Sequence, residues 1–416
     1  MESRIVITGA GVVSAIGCGK ADTLKALREK RTGIGPVKYL ETSLRDFPVG
    51  EVPLSNAELA ARTGAPETWP RTTLLSVLAL QEALEQASIQ SDGKFSPATY
   101  KNVESVEGTG LPEASAFLLA KRRPIPSNIP LVSGTTVGGM DLSEKLYPMY
   151  SPWHSCGAST DLAAQFLGFK EATTLSTACS SAANAFIYAA NLIRCGFADK
   201  VVAGGAESLS DYHLNGFNSL MILDPEWCRP FDATRAGLNL GEGAAFLVLE
   251  TEESALERGA KPLAVLSGWG NACDAFHQTA SSQNGEGAFQ AMSQALKRAG
   301  LKPEDIGYVN AHGTGTPNND ASESTALRRI FGDRIPPVSS TKPYTGHTTS
   351  ASGSIEAVFC LLALQNGLFP PELNWREADP GCIIPYSGGD VPGPRHILSN
   401  AFGFGGNDSS IILSRI

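Results

Sequence analysis

One cysteine of the sequence stands in a setting that suits a nucleophile. Cys179 lies between a short apolar run that ends near Thr177 and a stretch with helical spacing, in TLSTACSSAANAFIYAA. A thiol at the start of a helix faces free backbone N–H groups and the positive end of the helix dipole, which favour the thiolate. A turn from strand to helix also lifts a side chain out of a sheet. The setting predicts a reactive Cys179, although an isolated cysteine is more often an inert buried residue.

Two of the six histidines lie in turns rich in glycine and hydroxyl residues. His312 lies in NAHGTGTP and His347 in KPYTGHT, each after a predicted strand. Two neutral imidazoles that face a thiolate can donate hydrogen bonds to a carbonyl oxygen that gains negative charge. Zinc bound by Cys179 and these histidines is the alternative. Zinc sites normally include a closely spaced ligand pair, whereas these residues are far apart in the sequence.

A third glycine-rich segment, NAFGFGGND at 400–408, precedes the last apolar run. Its flexible backbone around Phe404 could present N–H groups to an oxyanion and act as a gate. The simpler interpretation is a tight turn before the final strand.

The elements that must position these residues are predicted strands in an α/β chain. Residues 4–17 (RIVITGAGVVSAIG) and 261–274 (KPLAVLSGWGNACD) both run from an apolar strand into a turn of small residues. This likeness predicts two duplicated α/β halves, residues 1–255 with the cysteine and residues 256–416 with both histidines. Apolar runs predict four further strands, at 200–203, 244–249, 307–311 and 409–413.

Composition and charge exclude several classes of function. The 416 residues are 42% hydrophobic and carry a net charge of −9, which argues against nucleic acid as the main ligand. The eight cysteines include no CxxC pair, which favours reduced thiols. We find no apolar stretch long enough for a bilayer and no signal-peptide pattern, so we expect a cytoplasmic protein without a membrane partner.

Residues 91–128 are polar and rich in Pro, Gly and Ser. They predict a surface excursion with one short helix near 113–121. The segment is either a solvated loop or, through Lys121, Arg122 and Arg123, a docking patch for an acidic partner.

Eight motifs together resemble the β-ketoacyl carrier-protein synthases of the elongating type, and they occur in that family's order. They are TACSS (177–181), AGGAE (203–207), RPFD (229–232), GEGAA (241–245), DAFHQT (274–279), NAHGTGTPNND (310–320), STKPYTGH (340–347) and NAFGFGG (400–406). The matches extend from residue 4 to the end, except for about 91 to 170.

The resemblance implies the thiolase fold, two duplicated α/β halves in a five-layer αβαβα arrangement, usually as a homodimer. It implies decarboxylative condensation of an enzyme-bound acyl group with malonyl-carrier protein. No metal or redox cofactor is implied, since phosphopantetheine arrives on the acyl carrier protein. A heterodimer with a subunit of the chain-length-factor kind is the alternative assembly.

The resemblance also implies a role for each matching residue. Cys179 resembles the acylated nucleophile, and His312 and His347 resemble the pair that drives decarboxylation. Lys342 resembles the lysine beside that pair, with Glu323 as its expected carboxylate partner. The remaining matches are Thr314 and Thr316, which resemble the hydroxyls that hold phosphopantetheine, and Phe404, which resembles the gate whose N–H joins that of Cys179 in an oxyanion hole.

The sequence departs from the family pattern near the site. Asn407 and Asp408 follow the glycine turn where common fatty-acid enzymes carry Thr-Asn. The segment from Gly139 to Cys179 is shorter than usual and lacks the usual pocket-lining pattern. These departures, with the 91–128 excursion, favour a specialised synthase, for example in polyene or resorcinol-type assembly, over housekeeping fatty-acid elongation.

Three rival classes fit less well. A non-catalytic chain-length factor would lack the cysteine, which is present. A thiolase that acts on coenzyme A needs a second cysteine in the C-terminal half, where the matching turn is GFGGND. A dinucleotide-binding oxidoreductase is suggested by Gly9-Ala10-Gly11, but position 14 is Ser rather than the third glycine of that fingerprint.

Overall fold

A computed structural model describes residues 4–89, 128–149, 151–389 and 393–416, which contain eleven strands and twelve α-helices. The strands are β1 (Ile5–Ser14), β2 (Gly17–Cys18), β3 (Leu131–Gly134), β4 (Ala172–Leu175), β5 (Lys200–Glu207), β6 (Gly243–Thr251), β7 (Ala264–Cys273), β8 (Tyr308–Asn310), β9 (Val338–Ser339), β10 (His396–Gly403) and β11 (Asn407–Ser414). The helices are α1 (Lys20–Arg28), α2 (Asn56–Thr63), α3 (Arg71–Gln86), α4 (Met140–Leu146), α5 (Ala158–Leu167), α6 (Ser181–Arg194), α7 (Asp211–Ser219), α8 (Glu252–Glu257), α9 (Glu286–Ala299), α10 (Pro317–Phe331), α11 (Lys342–Thr345) and α12 (Ser352–Asn366).

The order of the strands repeats. The described strands run β4-β3-β5-β6-β1-β7-β11-β10-β8-β9, with β2 folded back on β1 as a hairpin. Counted outwards from the β1–β7 contact, the strands run β1, β6, β5, β3, β4 on one side and β7, β11, β10, β8, β9 on the other. Each strand thus has a counterpart in the other half, at the same place in the sheet and in the same order along the chain. That contact is short, with Val6 opposite Val265 and Ile7 opposite Ala264. The repeat confirms two duplicated α/β halves and supports the proposed division near residue 255.

Helices cover both faces of each half. α3 packs on β1 and β6 from one side, and α9 packs on β7 and β11 from the other. α6 and α12 lie between the two sets of strands and contact both. This gives five layers, α-β-α-β-α. Because β1 and β6 are covered on both faces, their residues are buried almost without interruption, as the continuous apolar runs predict.

The six strands predicted from apolar runs are all confirmed, as β1, β5, β6, β7, β8 and β11. β10 was not predicted, because polar residues such as His396, Ser399 and Asn400 interrupt its apolar pattern. The 91–128 excursion and its Lys121–Arg123 patch lie outside the described residues. Within the described ranges, no helix combines the length and apolar character that crossing a membrane requires.

Candidate active site

A strained turn presents Cys179. β4 ends at Leu175 and α6 begins at Ser181, so the cysteine lies just before the helix, as predicted. Ala178 has φ of +52°, a left-handed conformation that is unfavourable for a residue with a β-carbon. The Ser181 hydroxyl holds this turn, since it donates to the carbonyl of Ala178 at 2.6 Å and accepts from the N–H of Thr177 at 2.9 Å.

His347 contacts the nucleophile directly. Its Nε2 lies 3.1 Å from Cys179 Sγ, and its Nδ1 lies 3.0 Å from the Ser352 hydroxyl at the start of α12. The backbone N–H of His347 donates to the carbonyl of Asn239 at 2.7 Å, which fixes the turn. A serine hydroxyl can donate or accept, so Ser352 can support either neutral tautomer of His347.

His312, which follows β8 in the same half of the chain as His347, completes the pair. Its ring centroid lies 5.3 Å from that of His347, with the rings almost perpendicular at 83°. Lys342 Nζ lies 3.3 Å from His312 Nδ1 and also donates to the His312 carbonyl. Because an ammonium only donates, Nδ1 must accept, which places the imidazole proton on Nε2.

The expected pairing of Lys342 with Glu323 is wrong. Lys342 forms a buried salt bridge with Glu356 at 2.8 Å. Glu323 instead accepts from the backbone N–H groups of His312 and Gly313, at 2.9 and 2.8 Å, and so holds the histidine turn. The difference arises because Glu356 projects from α12, the central helix, whereas Glu323 projects from α10.

Burial controls the protonation states of the site. It raises the pKa of the Cys179 thiol to about 12, although Lys342 and two backbone N–H groups oppose it. The backbone N–H of Cys179 lowers the pKa, as expected for a helix start, but burial outweighs it, so the resting protein holds the thiol. Burial and then Lys342 hold the pKa values of His312 and His347 well below 6.5, so both rings are neutral at pH 7.

The Gly403–Gly406 loop, which we call the glycine loop, lies against the nucleophile. The N–H groups that lower the Cys179 pKa are those of Phe404 and of Cys179 itself, the pair predicted for the oxyanion hole. The Phe404 ring stacks on Phe217 at 5.9 Å. The Asn407 side chain donates to the Phe404 carbonyl at 2.7 Å, so the position that departs from the family pattern holds the loop.

One cavity of about 320 Å³ connects these groups to the surface. Cys179, His312, His347 and Phe404 line it, together with the two predicted phosphopantetheine contacts, Thr314 and Thr316. The hydroxyls of Thr314 and Thr316 lie 2.8 Å apart. Within the described chain, no three His, Cys, Asp or Glu side chains are arranged to hold a metal ion.

Sequence reasoning missed Ser352, Glu356 and Phe217. The first two lie four residues apart in SGSIEAVFCLLAL, where polar side chains at helical spacing interrupt an apolar run. That spacing places both on one face of α12 and was a usable signal. Phe217 carried no signal, since one phenylalanine in a helix is ordinarily a core residue.

Family comparison matches both halves of the chain. Residues 2–255 match the model described as "Beta-ketoacyl synthase, N-terminal domain", and residues 263–376 match "Beta-ketoacyl synthase, C-terminal domain".

Individual proteins show the same similarity. The chain is 33% identical to Nodulation protein E of Rhizobium meliloti, over 100% of both chains. It is 32% identical to 3-oxoacyl-[acyl-carrier-protein] synthase 2 of Synechocystis, over 100% of this chain and 98% of the relative. Among solved structures, the ishigamide ketosynthase/chain length factor superposes with a TM-score of 0.86 at 30% identity, over 100% of both chains. The predicted thiolase-type fold is thereby confirmed.

Proposed function

The chain belongs to the β-ketoacyl synthase family, and on that premise we propose that it condenses an enzyme-bound acyl group with malonyl-carrier protein. The products are 3-oxoacyl-carrier protein and carbon dioxide. The observation that carries this proposal is the contact of 3.1 Å between Cys179 Sγ and His347 Nε2, with His312 perpendicular beside it in one cavity. A neutral imidazole next to a buried thiol provides both a base and a hydrogen-bond donor.

In the first half-reaction, Cys179 takes the acyl group from a carrier thioester. Because burial keeps the cysteine as a thiol, its proton passes to His347 Nε2 as the sulfur attacks the carbonyl carbon. The N–H groups of Cys179 and Phe404 stabilise the tetrahedral oxyanion. The carrier thiolate then leaves and takes the proton from His347.

In the second half-reaction, malonyl-carrier protein loses carbon dioxide. The bond to the carboxylate breaks, and its electron pair forms an enolate whose oxygen accepts from His312 Nε2–H and from the Nε2–H tautomer of His347. The enolate carbon attacks the Cys179 thioester. The new carbon–carbon bond forms, and the cysteine sulfur leaves as a thiolate that regains a proton from solvent.

We assign the acyl carrier protein as the partner that delivers both substrates. Thr314 and Thr316 lie along the cavity that leads to Cys179, where their hydroxyls can hold the phosphopantetheine arm. The enzyme then needs no cofactor of its own, and we place it in the cytoplasm. The structural similarity to the ishigamide ketosynthase/chain length factor favours assembly as a dimer, with itself or with a subunit of the chain-length-factor kind.

The pathway we propose is specialised chain assembly. The chain resembles Nodulation protein E and the ishigamide ketosynthase/chain length factor as well as 3-oxoacyl-[acyl-carrier-protein] synthase 2. The Asn407–Phe404 hydrogen bond supports this pathway, because it ties one departure from the common pattern to the glycine loop beside Cys179.

The test is intact-mass spectrometry of acylation at Cys179. We expect acyl-carrier thioesters to add one acyl group to the native protein and none to Cys179→Ala. Cys179→Gln places an amide where the acyl-enzyme carbonyl would lie, so it should decarboxylate malonyl-carrier protein without condensing. An acyl adduct on Cys179→Ala, or condensation by Cys179→Gln, would contradict the proposal.

A further inference from the structure

The glycine loop is fastened to the segment that follows β7. The N–H of Gly405 donates to the carbonyl of Gln278 at 2.8 Å, and Cys273 Sγ donates to the carbonyl of Gly405 at 3.4 Å. The N–H of Asp274 donates to the carbonyl of Gly406 at 3.3 Å. For Phe404 to swing away from Cys179, these contacts must break.

Two aspartates, Asp274 and Asp408, approach each other next to these contacts, on either side of Gly287. A methyl group on Gly287, in the first turn of α9, would lie 2.0 Å from Asp408 Oδ2 and 3.0 Å from the β-carbon of Asp274. A methyl group on Gly406 would lie 2.1 Å from Asp274 Oδ1. Asp274 therefore fills the concave side of the glycine loop, and Asp408 approaches it from β11 across Gly287.

The surroundings of Asp408 supply negative charge. Asp408 is 5% exposed. After burial, the charges of Asp274, in the segment after β7, and of Glu323, on α10, raise the pKa of Asp408. Glu286, on α9, forms a salt bridge of 2.9 Å with Arg329. This arginine is therefore paired with Glu286.

Asp274 already accepts two backbone hydrogen bonds and can accept a further one. Its Oδ1 accepts from the N–H of Phe276 at 3.1 Å, and its Oδ2 accepts from the N–H of Ser282 at 3.0 Å. A neutral Asp408 can donate its O–H to an oxygen of Asp274, whereas an ionised Asp408 has no proton to donate.

We propose that Asp408 and Asp274 are positioning residues that share one proton and thereby hold the glycine loop, with Phe404, closed over Cys179. The inference rests on the proposed function, since it gives the loop its part in admitting the acyl chain. Neither residue touches the reacting atoms. Their effect reaches the chemistry through the position of the Phe404 ring and N–H.

The arrangement makes loop opening depend on pH. Burial first, and then Asp274 and Glu323, raise the pKa of Asp408 from 3.8 to about 8. The closed loop therefore retains a proton that an open loop, with Asp408 in water, would release. The stabilisation of the closed loop is complete below about pH 4, weakens as the pH rises, and is lost above about pH 8.

The test compares two reactions of Cys179 between pH 6 and 9. Acylation by a long-chain acyl thioester requires Phe404 to move, whereas acetylation by the corresponding acetyl thioester uses the same proton transfer from Cys179 to His347 and needs less movement of the glycine loop. We expect the ratio of the two rates to rise by up to about 100-fold between pH 6 and 9 in the native protein, and to stay flat in Asp408→Asn, whose amide can donate to Asp274 at every pH. Asp333→Asn makes the same change at an exposed carboxyl and should behave as the native protein.

A flat ratio in the native protein, or a rise retained in Asp408→Asn, would overturn the proposal. If no thioester acylates Cys179, the proposed function fails, and the loop is then tested without turnover. Hydrogen exchange of residues 400–410, corrected for intrinsic rates, should accelerate as the pH rises from 6 to 8 and level off above pH 8, in the native protein and in Asp333→Asn. The same acceleration in Asp408→Asn would also overturn the proposal.

Discussion

At the scale of single residues, a buried ion pair sets the chemistry of one histidine. Lys342 and Glu356 are almost completely buried, and the ammonium contacts both the ring and the carbonyl of His312. A buried pair of this kind costs desolvation and adds little net stability. Its value here lies in fixing the Nε2–H tautomer of His312, which the decarboxylation step requires.

Removing one partner of this pair should be costly. Glu356→Ala leaves the Lys342 ammonium buried without a counter-charge, so we expect urea unfolding to show a loss of about 3–5 kcal/mol. Glu356→Gln keeps an acceptor and should lose less. Glu253→Ala, at an exposed carboxylate, is the matched control. Equal unfolding midpoints for Glu356→Ala and Glu253→Ala would show that Lys342 does not depend on Glu356.

At the scale of elements, the active site is the junction of two turns from different halves. The turn between β4 and α6 carries Cys179, and the glycine loop between β10 and β11 lies over it. A β-carbon on Gly403 would lie 2.9 Å from the carbonyl oxygen of Thr177 and 3.0 Å from the N–H of Cys179. The backbones of the two turns therefore approach more closely than any side chain permits.

Widening this junction should impair catalysis more than folding. In Gly403→Ala the methyl group would push the glycine loop from Cys179 and displace the Phe404 N–H, so we expect kcat for condensation to fall about 100-fold. Gly35→Ala is the control, because a methyl group there would meet nothing within 4 Å. Thermal unfolding should be similar for the two variants. Full activity of Gly403→Ala would refute this account of the junction.

At the scale of the whole molecule, β4 forms an edge. Among the described strands, β4 pairs only with β3, and its side chains are half-buried. The N–H of Leu131 donates to the carbonyl of Glu171, and the N–H of Thr135 donates to that of Leu175. In a parallel ladder this register turns the N–H of Thr174 away from β3, where a second chain could pair with it.

Blocking this edge should weaken the proposed dimer. Thr174→Pro removes an N–H that no neighbour in the sheet uses, so the fold should persist while edge pairing is lost. We expect sedimentation velocity to shift from dimer towards monomer, with an unchanged far-ultraviolet circular dichroism spectrum. Thr174→Val retains the N–H and should remain dimeric. A dimer of undiminished stability in Thr174→Pro would place the interface elsewhere.

The sequence by itself determined what depends on neighbours along the chain. The strand-to-helix turn at Cys179, the histidine turns and the duplicated strands are encoded by apolar runs and small residues within about ten positions. The motif resemblance added the family and the roles proposed for the site residues.

Only the tertiary structure decided what depends on distant segments meeting. Lys342 pairs with Glu356 rather than Glu323, because packing of the central helix against the strands selects the nearer carboxylate. The pKa of the Cys179 thiol is raised rather than lowered, because burial by segments from both halves outweighs the local effect of the helix end. Asp408 approaches Asp274 for the same reason, since β7 and β11 are adjacent in space although the two aspartates are 134 positions apart in the chain.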